Sequence, residues 1–486
     1  MLPDPSSFRP GRPEQTEAGA PSTVAVDVVN REHEKGKAIA QVKRHRLGRY
    51  FSISLGTATL VLLTSAWLSS GTMAPYAATL HPEWVRVQPP CDYLTNIDHG
   101  QFQATFFMLQ GKPRASWQDS VVLRRILYPL LAFPLMTAFG FDTGGFVTNL
   151  ILTVVTFLAF VFFTRRAIGE AGAWVSMWIL ATYPGIAYWI GLPYSYVWIV
   201  PGSLLLMMLL WKLSRTTDHL STLLVSLAIG FVFWGYDLFP FFGTAALLIL
   251  ARQRRFLHLP MAVLGMSIPV GILFLWLELA FHVPVRNPNT ESYWVILSSF
   301  GGHIDYPGWW KLIAALPSIF IDNFLFSNFL FLPLLFVLLA LISLISTRSI
   351  PLKAPELEIL LATLLVFLFN NLAPPYGGWQ LRGVWIARLY QPVFVAFVLF
   401  ACRAVQSWWK PAHTGSAGLG RIAVLLVALT VIADSAVVFG PFLRLRMASS
   451  IYQRFYRHSP SPDSLHLNVE RHGARPLGIC ISTRSR

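Results

Sequence analysis

The chain has 486 residues, a formal net charge of +15, 54% hydrophobic side chains and only 13% charged ones. Soluble chains are about a quarter charged, so these figures exclude an ordinary soluble enzyme; the apolar content excludes disorder over most of the length. What remains is one polytopic membrane domain with tails. Cys91, Cys402 and Cys480 fit no disulfide framework and no thiolate metal site. Cys91 and Cys480 can pair only if both lie outside the membrane and close together.

Residues 1–50 read as a disordered cytoplasmic tail, rich in Pro and Glu early and basic late (Lys35, Lys37, Lys43, Arg44, Arg46, Arg49). This prefix is too long for a signal-peptide n-region. It predicts an uncleaved signal anchor, with the basic flank holding the N-terminus in the cytoplasm. Phe51 to Ser70 carries no charge, and a helix of about 20 residues crosses a hydrocarbon core of about 30 Å. Further charge-free windows follow: Thr143 to Thr164, Ala171 to Trp211 as two spans joined near Pro193, and His219 to Ala251 as two spans turning at Asp237. Then come Phe256 to Leu277, Asn323 to Thr347, Ile359 to Leu381, Arg388 to Ala401, and Ile422 to Leu443 interrupted by Asp434. The expected fold is all-α, a polytopic transmembrane helical bundle of about 11 spans within residues 51–443. A polar, basic tail follows at 444–486.

Ile126 to Gly140 is apolar but short, and holds Pro129 and Pro134. If it spanned, every later basic loop would invert. If it stays on the outer side, Arg165, Arg166, Lys212, Arg215, Arg252, Arg254, Arg255, Arg348, Lys353, Arg403, Lys410 and Arg421 all face the cytoplasm, as short basic loops prefer. It is therefore expected to be an outer juxtamembrane helix. The outer face then consists of a large loop at 71–142, a second at 278–322 and a third at 374–383, and the chemistry belongs there. The positive charge is orientation signal, not a nucleic-acid signature.

In the first loop, Asp98 and His99 precede Phe102 in what reads as the first turn of a helix. A carboxylate is favoured there and can accept a proton from an attacking group; the alternative is a plain N-cap. Arg124 and Arg125 run against the charge bias. Arginine presents a fork suited to phosphate oxygens; the alternative is snorkelling to lipid headgroups. Arg382 and Arg388 flank the third loop, with Arg388 entering the membrane, where a charge implies a partner or a function. In the second loop His303 and Asp305 offer two ligands for a divalent cation, short of a full set. Asp237, Asp322 and Asp434 sit at span ends, where solvated positions are expected. No phosphate-binding glycine loop of the ATPase type is present, so ATP-driven transport has no support.

Asp98-His99-Gly100-Gln101-Phe102 followed by Met108-Leu109-Gln110-Gly111 resembles the acidic motif and Met-Leu-x-x-Gly stretch of GT-C class membrane glycosyltransferases, which include protein O-mannosyltransferases and lipid A aminoarabinose transferases. Arg125-Ile126-Leu127-Tyr128-Pro129 through Phe139-Gly140, Phe163-Thr164-Arg165-Arg166 and Arg388-Leu389-Tyr390-Gln391-Pro392 are similar to that family's later motifs. The clearest similarity covers about Asp98 to Pro184. Two departures are His99 at the second acidic position and Phe102 at a tyrosine position; the first weakens a paired-carboxylate metal site.

The resemblance implies a polyprenyl-phosphate-linked sugar donor and a glycan, lipid or protein acceptor on the outer face of a bacterial inner membrane. It makes Asp98 the base, with Asp92 as substitute, and Arg124, Arg125, Arg382 and Arg388 the grip on the donor phosphate; a divalent cation stays open. The competing reading is a transporter or flippase of lipid-linked or small substrates.

Overall fold

The computed structural model describes residues 48–68, 105–111, 125–190, 195–236, 238–281, 331–347, 355–372, 384–409 and 416–456. Among them every regular element is helical, with no strand. The tails at 1–47 and 457–486 lie outside these residues.

Two compact units divide the chain, Met1–Gly56 and Thr57–Arg486. The described part of the first, residues 48–56, is helical and begins α1 (Gly48–Leu68). The second unit contains α2 (Leu127–Phe139), α3 (Phe141–Ala167), α4 (Glu170–Thr182), α5 (Pro184–Ile190), α6 (Ile199–Leu213) and α7 (His219–Val232). It continues with α8 (Phe242–Arg252), α9 (Leu259–Phe281), α10 (Phe331–Thr347), α11 (Glu356–Leu372), α12 (Val384–Trp409) and α13 (Ser416–Tyr456).

Helices suit an apolar chain in lipid, because each closes its own backbone hydrogen bonds. Their hydroxyls follow the same rule: Thr64, Thr148, Thr156 and Ser203 donate to the carbonyl four residues back. Five helical stretches are long and apolar enough to cross a membrane: Gly48–Leu68, Thr143–Ala167, Phe256–Ala280, Pro392–Trp409 and Gly418–Ala436. Exposed leucines and isoleucines line α9 and α13, as lipid-facing surfaces require. The chain is a multi-pass membrane protein by length and composition.

α12 forms the axis of the second unit. Its stretch from Val393 to Val405 is almost wholly buried, and it packs against α4, α6, α10, α11 and α13. α7 lies along α9, and small residues let the two backbones approach. A Cβ on Gly265 would come within 2.7 Å of Ser226, and one on Gly230 within 2.6 Å of the Met266 carbonyl. α2 folds back along α3 through Gly140, whose φ of 84° favours glycine.

Polar contacts gather one set of helix ends together. Arg403 binds Glu356 through Nε at 2.6 Å, joining the end of α12 to the start of α11. Arg252, at the end of α8, lies 2.7 Å from Glu358 of α11. Gln406 of α12 accepts from the Gly172 amide in the first turn of α4 at 3.3 Å, satisfying one of the donors a helix start leaves open. Gln253 donates to the Ser214 carbonyl at 2.9 Å, joining the α8–α9 and α6–α7 connections. The basic connections at 165–170, 212–218 and 252–258 therefore share one end of the bundle with Arg403. Asp218 caps α7 by accepting from the Ser221 amide at 2.7 Å, and that bond holds its carboxyl below the usual range.

The break at Pro184, directly after α4, falls earlier in the Ala171 to Trp211 window than the expected join near Pro193, which itself lies outside the described residues. The last helix begins before Ile422 and continues past Leu443 to Tyr456.

Candidate functional site

The expected chemistry concentrates in loops that the structure largely leaves aside. Asp92, Asp98, Arg124, Asp237, His303, Asp305, Asp322 and Arg382 lie outside the described residues, as do Cys91 and Cys480. Arg388 sits on α12, four residues into the helix. Cys402 is a buried free thiol in the same helix.

The described remnant of the first loop, residues 105–111, is a helical turn ending at Gly111, whose φ is 74° and whose amide donates to the Met108 carbonyl at 2.9 Å. Met108 is buried with Ile126, Leu273 and Leu277, and Leu109 and Trp276 pack around them. Phe106 meets the rings of Phe133 and Phe141 at 5.9 and 5.8 Å. The Met-Leu-Gln-Gly stretch is thus clamped between α2 and α9. Its place follows from helix length: Leu277 lies about 28 Å along the helix from His258. The turn therefore docks at the end of the bundle opposite the basic connections.

Arg125 stands at this same far end, just before α2. Its guanidinium carbon is 4.9 Å from the centre of the Tyr236 ring, and the residue is 4% exposed. The snorkelling alternative for Arg125 is thereby corrected: the side chain turns inward onto an aromatic face, where a cation–π contact out of water is stronger than one in it. Next to Arg125 in the fold, Tyr128 lies buried beside Asn149 of α3, and Asn149 donates to the Ile190 carbonyl at the end of α5 at 3.0 Å.

Several helices break at this level. α4 gives way to α5 at Tyr183 and Pro184, a 3-10 turn at Ser195–Trp198 precedes α6, and two more at Phe233–Gly235 and Phe239–Phe241 separate α7 from α8. Asn149 lies about 24 Å from Arg165 along α3, and Tyr236 about 25 Å beyond His219. Non-helical backbone at membrane depth persists only where protein or a water-lined cavity covers it. Here buried aromatics cover it: Tyr183, Trp198, Tyr236 and Phe239.

Asp434 belongs to the same layer, about 21 Å along α13 from Gly420. The expectation of a solvated span-end aspartate is overturned. Asp434 is 1% exposed inside a helix long enough to span, and its Oδ2 has no hydrogen-bond partner among the described residues. Tyr183 is its electrostatic neighbour, and the Tyr183 ring meets Phe394 of α12 edge-on at 6.4 Å. The position of Asp434 between two apolar runs in the Ile422 to Leu443 window is the signal that marks an intramembrane charge. Tyr236 and Trp198 carried no such signal, since aromatics in apolar windows are common.

Among the described residues no group of three or more His, Cys, Asp or Glu side chains is placed to hold a metal ion. Taken together, the far end offers a buried arginine held on an aromatic face, a docked first-loop turn, and a buried carboxylate.

No protein-family model, no curated protein and no solved structure matches this chain at a significant level.

Proposed function

We propose that this protein is a membrane glycosyltransferase of GT-C type, moving a sugar from a polyprenyl-phosphate donor to an acceptor on the outer face of a bacterial inner membrane. The finer topology belongs to this reading: about 11 spans, a cytoplasmic N-terminus and the basic connections inside. One observation carries it. The first-loop turn that follows Asp98 and the arginine that runs against the charge bias meet at the end opposite the basic connections. That is where a donor phosphate, arriving with its lipid tail between helices, would need a cation.

In the proposed reaction Asp98 takes the proton of an acceptor hydroxyl. The hydroxyl oxygen attacks the anomeric carbon, the bond from that carbon to the phosphate oxygen breaks, and the polyprenyl phosphate leaves with its electron pair. Arg124, Arg125, Arg382 and Arg388 are the candidates to stabilise the charge that develops on the phosphate. Asp98→Asn tests this in purified protein supplied with a polyprenyl-phosphate sugar and an acceptor: transfer is lost while the variant elutes as folded protein. Full transfer by Asp98→Asn removes Asp98 from the reaction.

Asp434 favours a second reading, a transporter or flippase, because buried intramembrane carboxylates mark substrate and ion paths. Passage of labelled substrate through proteoliposomes with no covalent change selects that reading.

A further inference from the structure

At the basic end, two connections are joined into one surface. Gln253 donates to the Ser214 carbonyl at 2.9 Å. Thr222 Oγ1 and His258 Nδ1 are 2.9 Å apart, and the His219 and His258 rings stack with centroids 4.2 Å apart. This surface carries Lys212, Arg215, Arg254 and Arg255. None of the four has a carboxylate partner among the described residues, because the nearby carboxylates are already engaged. Glu358 faces Arg252, Glu356 holds Arg403, and Asp218 caps α7.

The arginines are positioned rather than loose. Arg254 has a φ of 56°, a conformation that residues with a side chain adopt at a cost. The turn is closed by the Arg254 and Arg255 amides, which donate to the Ala251 and Leu250 carbonyls at 2.9 Å each. Arg215 is placed over the Trp211 ring at 5.7 Å. Arg255 donates through one terminal nitrogen to Gln253 Oε1 at 3.1 Å. Its other terminal nitrogen is buried with no hydrogen-bond partner among the described residues. That donor remains to be satisfied, and the exposed guanidinium groups of Arg215 and Arg254 stand beside it.

Beside these cations the surface is apolar and exposed: Leu257 is 79% exposed, Leu220 65% and Phe256 61%. A soluble phosphate compound or an acidic protein has no use for such a rim, whereas a lipid presents phosphate and acyl chain side by side. Basic pockets between helices at a membrane surface suit anionic headgroups. We propose that the joined connections at 212–215 and 252–255 bind the phosphate headgroup of an anionic phospholipid, with the chain seated against Leu220, Phe256 and Leu257. This site is separate from the far end and does not depend on the glycosyltransferase reading.

The test is native mass spectrometry of the full-length protein in detergent, titrated with phosphatidylglycerol or phosphatidylcholine. Phosphatidylglycerol is expected to bind selectively, and Arg255→Gln to weaken it about fivefold, with Arg166→Gln leaving it within about twofold. Arg215→Gln and Arg254→Gln, both exposed positions, carry the same expectation where Arg255→Gln does not fold. Equal binding of the two lipids, native affinity in the folded loop variants, or an equal loss in Arg166→Gln overturns the proposal. So does displacement of bound phosphatidylglycerol by glycerol phosphate, which would make the site one for a soluble phosphate.

Discussion

Removing Arg403 should destabilise the bundle more than removing Arg403 and Glu356 together. Glu356 is 2% exposed, and its Oε1 accepts from Arg403 Nε at 2.6 Å and from a terminal nitrogen at 2.5 Å. Arg403→Met leaves that carboxylate buried without the cation that binds it, a loss of about 3–5 kcal/mol. Glu356→Met removes the acceptor and leaves the largely buried Arg403 guanidinium without it, again a loss of about 3–5 kcal/mol. Replacing both by methionine restores an apolar contact at the α11–α12 junction and removes both desolvated charges. The double variant is therefore expected to be more stable than Arg403→Met alone, with a coupling of at least about 1.5 kcal/mol. Denaturation in mixed micelles, followed by tryptophan fluorescence, reads the cycle. Single effects that add within about 0.5 kcal/mol refute the reasoning, since the two groups would then act independently.

Gly235→Ala is expected to destabilise by about 1–3 kcal/mol, because the new methyl collides with the Trp198 indole. Gly243→Ala meets only ordinary contacts, the nearest at 3.5 Å, and should be neutral or stabilising in α8; equal effects in a thermal-denaturation comparison would contradict the packing described. Reporters placed after Gly111 and after Lys410 should label opposite sides of the membrane, and the same side for both would break the proposed topology.

The helical character and several of the places where helices stop are legible because charge marks them, whereas Pro134, Pro269 and Pro392 lie inside helices. Arg165 and Arg166 fall in the last turn of α3, Arg252 ends α8, and the 3-10 turns at Phe233–Gly235 and Phe239–Phe241 separate α7 from α8. The sharing of one end by the basic connections followed from the same pattern, since short basic loops prefer one side. Pairings across the chain were not legible. Nothing in hydropathy joins Glu356 to Arg403, 47 residues apart, or turns Arg125 onto Tyr236. The burial of Asp434 escapes hydropathy for a related reason: a window average records how apolar a stretch is, not which face of its helix meets the bundle.

The proposed activity is sugar transfer at the outer face. Mass spectrometry of envelope glycans, from cells with the protein, without it, and with Asp98→Asn in its place, tests that claim most directly. One sugar should be missing from one acceptor both without the protein and with Asp98→Asn. Identical glycans in all three would contradict it.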